Sequence, residues 1–128
     1  MAGRLATKPG RSAFVPERGD VVWLTFDPRA GHEQAGRGPA VVLSPAIYNA
    51  KSGLALFVPI TSQVKGYPFE VVLPEGLPFA GAVLADHMKN LDWRARKAEL
   101  IARLPSDVVA QVLRRAAVLL GPTARDQE

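Results

Sequence analysis

Between Asp20 and Leu43 the chain reads DVVWLTFDPRAGHEQAGRGPAVVL, two short apolar runs joined by a polar, glycine-rich loop. Runs this short, rich in β-branched and aromatic residues and bounded by Pro or Gly, read as strands. The pattern recurs downstream, so strands are expected over residues 21–26, 40–43, 54–60, 69–73 and 82–85, with a further pair across 87–93 and 99–102. Strands this dense, with no long helix between them, predict a small antiparallel barrel. Residues 45–52 have room for one helical turn, with Asn49 to Gly53 as its stop. A longer helix is expected over residues 106–120. Ser106 is placed to cap it, Asp107 suits its positive end, and Gly121-Pro122 stops it. Val108, Val112, Ala116 and Leu119/Leu120 fall on one face, which is expected to pack on the barrel. The fold class is thus mostly β (α+β), a small barrel with a C-terminal helix.

A chain of 128 residues fits one domain with a real core. Its 48% hydrophobic and 22% charged content excludes wholesale disorder. No stretch approaches the ~18 apolar residues of a bilayer span, so no membrane partner is expected. Cysteine is absent, which excludes disulfides and thiolate metal sites and suits a reducing cytoplasm. The start, MAGRLATKPGRSAF, lacks the apolar segment of a secretory signal. Residues 1–16 read as a flexible basic tail or an expression remnant, residues 17–120 as the domain, and residues 121–128 as a second flexible tail. The net charge of +4 favours phosphate backbones or acidic protein segments as partners.

The loop from Asp27 to Pro39 holds Asp27, Arg29, His32, Glu33, Gln34 and Arg37. Gly31, Gly36 and Gly38 let its backbone take positive φ or approach a ligand closely. His32 and His87 are far apart and fit no HxxxH or HExxH pattern, so no metal site is expected. Neither a GxSxG elbow nor a GKS/GKT phosphate loop occurs. Chemistry would then rest on acids, bases, hydroxyls and cations. That set suits RNA cleavage by the substrate's own 2′-hydroxyl, which needs a base, an acid and charge stabilisation but no cofactor.

In that reading Glu33 serves as base or orients one, Arg37 stabilises the phosphorane charge, and Thr61 donates its hydroxyl to a phosphate oxygen. Ser62, Gln63 and Lys65 continue the polar edge. Plainer roles stand beside these. Glu33 and Arg37 can form a solvent-exposed ion pair worth ~0–1 kcal/mol. Thr61 and Ser62 can satisfy turn backbone groups. Phe26 and Tyr67 either stack on bases or pack in the core. Asp86 and Lys89 either read base edges or pair with each other on the surface.

Three blocks in order, GDVVWLTFDPRAGHEQAGRGPAVVLSPAIYNAKSG, PITSQVKGYPFEVVL and VLADHMKNLDWRAR, give the chain its resemblance to the MazF/PemK family of toxin ribonucleases over residues 16–120. The resemblance implies an SH3-like barrel with a C-terminal helix, arranged as a homodimer. It implies metal-independent, sequence-specific endoribonuclease action on single-stranded mRNA, leaving a 2′,3′-cyclic phosphate and a 5′-hydroxyl. The implied partner is an acidic, flexible antitoxin that blocks the RNA groove, an electrostatically sensible match for a basic protein. The family's catalytic threonine falls on Thr61 and its loop glutamate on Glu33.

The family's catalytic arginine stands directly before the proline of R-P-A-V-V-L, and here that position is Gly38. The nearest arginine is Arg37, and a shift of one residue in a strand turns a side chain to the opposite face. Three explanations stand at this point. Arg37 substitutes through a rearranged loop, the chain is an inactivated form, or it is a naturally weak enzyme that still binds RNA. Two other functions fit the same fold: a non-enzymatic toxin resembling the CcdB gyrase poisons, and a plain RNA- or peptide-binding module.

Overall fold

The computed structural model describes residues 14–27 and 36–123. Within these residues seven strands and two helices follow in the order β1 (Asp20–Thr25), β2 (Arg37–Val42), α1 (Ala46–Ser52), β3 (Leu54–Thr61), β4 (Glu70–Val72), β5 (Ala82–Leu84), β6 (Lys89–Asp92), β7 (Glu99–Arg103) and α2 (Ser106–Val118). All pairings are antiparallel. The sheet runs β4-β5-β3-β2-β1-β7, and β6 adds to β3. β3 is the hub: its first half pairs with β6, its second half with β2, and its last two residues with β5.

Among the described residues no ladder joins β4 to β7, so the expected barrel is not closed. Closure needs hydrogen-bond partners along both terminal strands, and β4 offers three residues only. The architecture is otherwise the α+β arrangement expected.

The sheet is covered on both faces, and this is why β1 and β2 read as continuous apolar runs rather than strict alternations. One face packs Val21, Val41, Val58, Ile60 and Val83 under Val108, Val112 and Ala116 of α2. The other gathers Val22, Leu24, Ala40, Val42, Ala55, Phe57 and Trp93. Phe14 and Val15 pack against this second cluster, and the Pro16 carbonyl accepts from the buried Asn49 amide at 2.7 Å. Residues 14–16 therefore belong to the packed domain, not to a tail.

α1 runs for seven residues rather than one turn. It stops where expected, with Gly53 in the left-handed region at φ 76° and its N–H on the Asn49 carbonyl at 3.1 Å. α2 departs from expectation at both ends. Pro105, not Ser106, is the N-cap, because its carbonyl accepts the first bonds from Val108 and Val109 N–H at 3.0 and 3.1 Å. Ser106 then falls inside the first turn and caps nothing. Leu119 and Leu120 were expected on the packed face but are exposed. Their N–H groups bond three residues back, to the Ala116 and Ala117 carbonyls, and this tighter winding rotates them out of the buried stripe. Among the described residues no helix is long and apolar enough to cross a membrane.

Candidate active site

Ala40 pairs with Pro59 and Val41 with Val58 across β2 and β3. Continuing that register sets Gly38 opposite Thr61, with Leu24 of β1 on the other side of Gly38. Strand alternation puts Gly38 with Ala40 and Val42, and Thr61 with Phe57, on the Trp93 face. A cross-strand pair brings side chains within ~4.5–5.5 Å at Cβ. A Cβ added at Gly38 would meet nothing closer than Phe26 Cε2 at 3.8 Å, so position 38 has room for a side chain. Gly38 is also not among the positive-φ glycines.

Thr61 is half-buried, and its Oγ1 accepts the Gln63 N–H at 3.1 Å. The turn role foreseen for it is therefore real. That bond uses the hydroxyl as an acceptor and leaves its hydrogen to be directed elsewhere.

Arg37 does not join Thr61. Its guanidinium crosses β1 toward β7 and donates to the Thr25 hydroxyl, the Trp23 carbonyl at 3.2 Å, the Lys97 carbonyl at 2.9 Å and the Arg96 carbonyl at 3.3 Å. The Glu99 carboxylate lies 3.5 Å away, and the Arg37 side chain is 12% exposed. A guanidinium is well matched to such a set of acceptors because its donors form a rigid planar fork.

Phe26 is half-buried and belongs to the second core cluster, with its ring edge facing position 38. Its N–H bonds the Gly36 carbonyl at 2.6 Å, closing the foot of the first loop. Gly36 is required for a reason other than positive φ or a ligand, since a Cβ there would stand 2.4 Å from the Asp27 carbonyl oxygen. Glu33, with Arg29, Gly31, His32 and Gln34, lies outside the described residues.

Beyond Thr61, Ser62, Gln63, Lys65 and Tyr67 form an exposed edge. The buried Glu70 carboxylate shapes it by accepting the Lys65 and Gly66 N–H groups at 3.1 and 2.9 Å. Tyr67 is exposed rather than core, and its hydroxyl donates to Asp86 Oδ2 at 3.1 Å. That hydrogen bond, and next the negative charge of Asp86, hold its phenol above the ordinary tyrosine value. The other oxygen, Oδ1, is buried without a hydrogen bond, 3.8 Å from His87 Nε2. Asp86 therefore pairs with Tyr67 and His87, not with Lys89, which lies exposed at the start of β6. Sequence reasoning missed the Tyr67–Asp86 bond, Glu70 and Arg96. Arg96 donates to the Thr25 carbonyl at 3.3 Å and to the Phe26 carbonyl. A long-range pair between polar loop residues leaves no local pattern to find.

Residues 17–120 match the family described as PemK-like, MazF-like toxin of type II toxin-antitoxin system. The chain is 48% identical over 110 residues to the endoribonuclease toxin MazF of Escherichia coli (strain K12), covering 86% of this chain and 98% of that relative. The Escherichia coli endoribonuclease PemK is 33% identical over 108 residues, 81% of each chain. A crystal structure of MazF from Deinococcus radiodurans matches with a TM-score of 0.77 and 56% identity, covering 85% of this chain and 99% of that one. A MazE-MazF crystal structure from the same organism matches with a TM-score of 0.76 and 50% identity over 86% of this chain and 99% of that one. Family, sequence relatives and fold agree over the same stretch: the chain belongs to the PemK-like, MazF-like toxins of type II toxin-antitoxin systems.

Proposed function

We propose that this chain is a toxin endoribonuclease that binds single-stranded mRNA in the cytoplasm and cleaves it without metal, at a rate limited by Gly38. In the reaction the substrate's 2′-oxygen attacks phosphorus and the bond from phosphorus to the 5′-oxygen breaks. A base takes the 2′-hydroxyl proton, and an acid supplies one to the leaving 5′-oxygen. The products carry a 2′,3′-cyclic phosphate and a 5′-hydroxyl. Thr61 donates its hydroxyl hydrogen to a phosphate oxygen. Glu33 takes the base role that the family resemblance gives it.

The observation that carries the reading is the Gly38–Thr61 row. Position 38 is open and, on the β2–β3 register extended by two residues, faces Thr61; a guanidinium there would meet the developing negative charge, and here it has no side chain. Arg37 is occupied across β1 by four acceptors, which supports Gly38 and not Arg37 as the place of the missing cation. Loss of one such charge-stabilising group costs about 10²–10³ in rate. RNA binding is kept by Phe26, Gly36 and the edge of Ser62, Gln63, Lys65, Tyr67, Asp86 and Lys89, through stacking and cationic contact.

The partner proposed for the same face is an acidic antitoxin segment, consistent with the net charge of +4 and with the MazE-MazF complexes of its relatives. The exposed Val118, Leu119 and Leu120 support assembly as a homodimer. End-group analysis of single-stranded RNA incubated with excess protein and chelator tests the reading. Slow appearance of cyclic-phosphate and 5′-hydroxyl ends is expected. Products with 5′-phosphates, or no RNA binding at all, would refute it. Firm binding with no product even over long incubation would leave a binding module.

A further inference from the structure

Two arginines from distant parts of the chain meet at the foot of the first loop, Arg37 donating to the Arg96 carbonyl and Arg96 to the carbonyls that end β1. Arg96, in the turn between β6 and β7, donates to the Thr25 and Phe26 carbonyls, and its own carbonyl accepts the Thr25 N–H at 2.9 Å. Arg37, at the other foot of the loop, donates to the Arg96 and Lys97 carbonyls and to the Thr25 hydroxyl. Lys97 is the one described non-glycine residue with positive φ, at 56°. A lysine held in that sparsely populated region marks a backbone whose course is imposed by its surroundings. Here that course presents the Lys97 carbonyl to Arg37.

The clamp closes directly beneath Phe26. The Phe26 carbonyl is on Arg96, its N–H is on Gly36, and its ring edge lies 3.8 Å from the Cβ position above Gly38. We propose that Arg37 and Arg96 are positioning residues, a two-arginine clamp that fixes Phe26 as one wall of the RNA site beside Thr61. The turn carrying Arg96 thereby sets RNA affinity without touching RNA. This rests on the reading of the site as an RNA site. Lysine cannot replace either arginine fully, because one ammonium lacks the planar fork that serves several acceptors at once.

The test uses the full chain as it stands and its Arg96→Gln, Arg96→Lys and Arg37→Lys variants. Amide hydrogen exchange at Thr25 and Phe26 reports the clamp, and binding of a mixed-sequence single-stranded RNA oligonucleotide reports the site. Val112→Ala, in α2 where it packs on the opposite face, is the control for lost stability. Faster exchange at Thr25 and Phe26, unchanged exchange in β3, and RNA binding weakened about 5- to 150-fold, as for loss of one stacked base, are expected for Arg96→Gln. Arg96→Lys should fall between, and Val112→Ala should leave affinity unchanged. Unchanged exchange at both amides would overturn the clamp. Faster exchange with unchanged affinity, or an equal affinity loss in Val112→Ala, would overturn the positioning role. A parent chain that fails to bind RNA while its variants still show the exchange change would instead sink the RNA reading, and the positioning role with it.

Discussion

The Cβ that Gly81 lacks would stand 1.9 Å from the carbonyl oxygen of Thr61. Gly81 leads into β5, whose first residue, Ala82, pairs with Thr61, and it takes φ 128° to do so. No L side chain tolerates both the angle and the contact. Gly81→Ala is expected to destabilise the fold by about 1–3 kcal/mol from the backbone conformation alone. It should also displace Thr61, and so lower RNA cleavage per folded molecule. Denaturant unfolding alongside cleavage normalised to folded protein checks both.

Gly36 and Gly38 are expected to respond in opposite directions. Alanine at 36 would meet the Asp27 carbonyl at 2.4 Å and strain the foot of the loop. At position 38 the space is open and φ is not positive, so Gly38→Ala should stabilise by about 0.4–1 kcal/mol through the unfolded chain. Paired thermal melts of the two variants decide this. A stability loss in Gly38→Ala would mean that the backbone demands glycine there.

Tyr67 should titrate late. Its phenol is raised, so the hydrogen bond to Asp86 stabilises the fold below the ordinary tyrosine value and is lost as pH climbs through the raised one. In a Tyr48→Phe background, which leaves Tyr67 as the only tyrosine, ultraviolet titration should show its midpoint falling on Asp86→Asn. An unmoved midpoint would show that the Tyr67–Asp86 bond does not form in solution.

Asn49 separates stability from function. Its fully buried amide bonds the Pro16 carbonyl, the Ser44 carbonyl and the Ser44 hydroxyl, while its backbone carbonyl accepts Trp93 Nε1–H at 2.9 Å. Asn49→Ala is expected to cost about 1–3 kcal/mol for each partner left unsatisfied. RNA binding of the remaining folded fraction should not change. Calorimetry combined with anisotropy on the same sample measures both.

The strands were legible because apolar runs bounded by Pro and Gly have few other ways to bury themselves, and so was the hairpin that puts Gly38 near the foot of the first loop. β6 was drawn too long because Lys89 to Asp92 is mostly exposed and carries little apolar signal. The open sheet could not be read either, since closure depends on strand lengths in three dimensions. At the site, the one-residue displacement of arginine is legible only against the pattern of the family that the chain resembles. What holds Arg37 was not: its acceptors on Arg96 and Lys97 lie far along the chain and are backbone atoms, which carry no sequence identity. Arg96 was missed for the same reason.

The most direct measurement is metal-free cleavage of a single-stranded RNA by Gly38→Arg, with and without Thr61→Val in the same chain. Restoring a guanidinium opposite the hydroxyl should raise the rate by about 10²–10³-fold, and Thr61→Val should remove most of that gain. A correctly folded Gly38→Arg chain with no faster cleavage than its parent, or a gain indifferent to Thr61, would contradict the Gly38–Thr61 row as the centre of the chemistry.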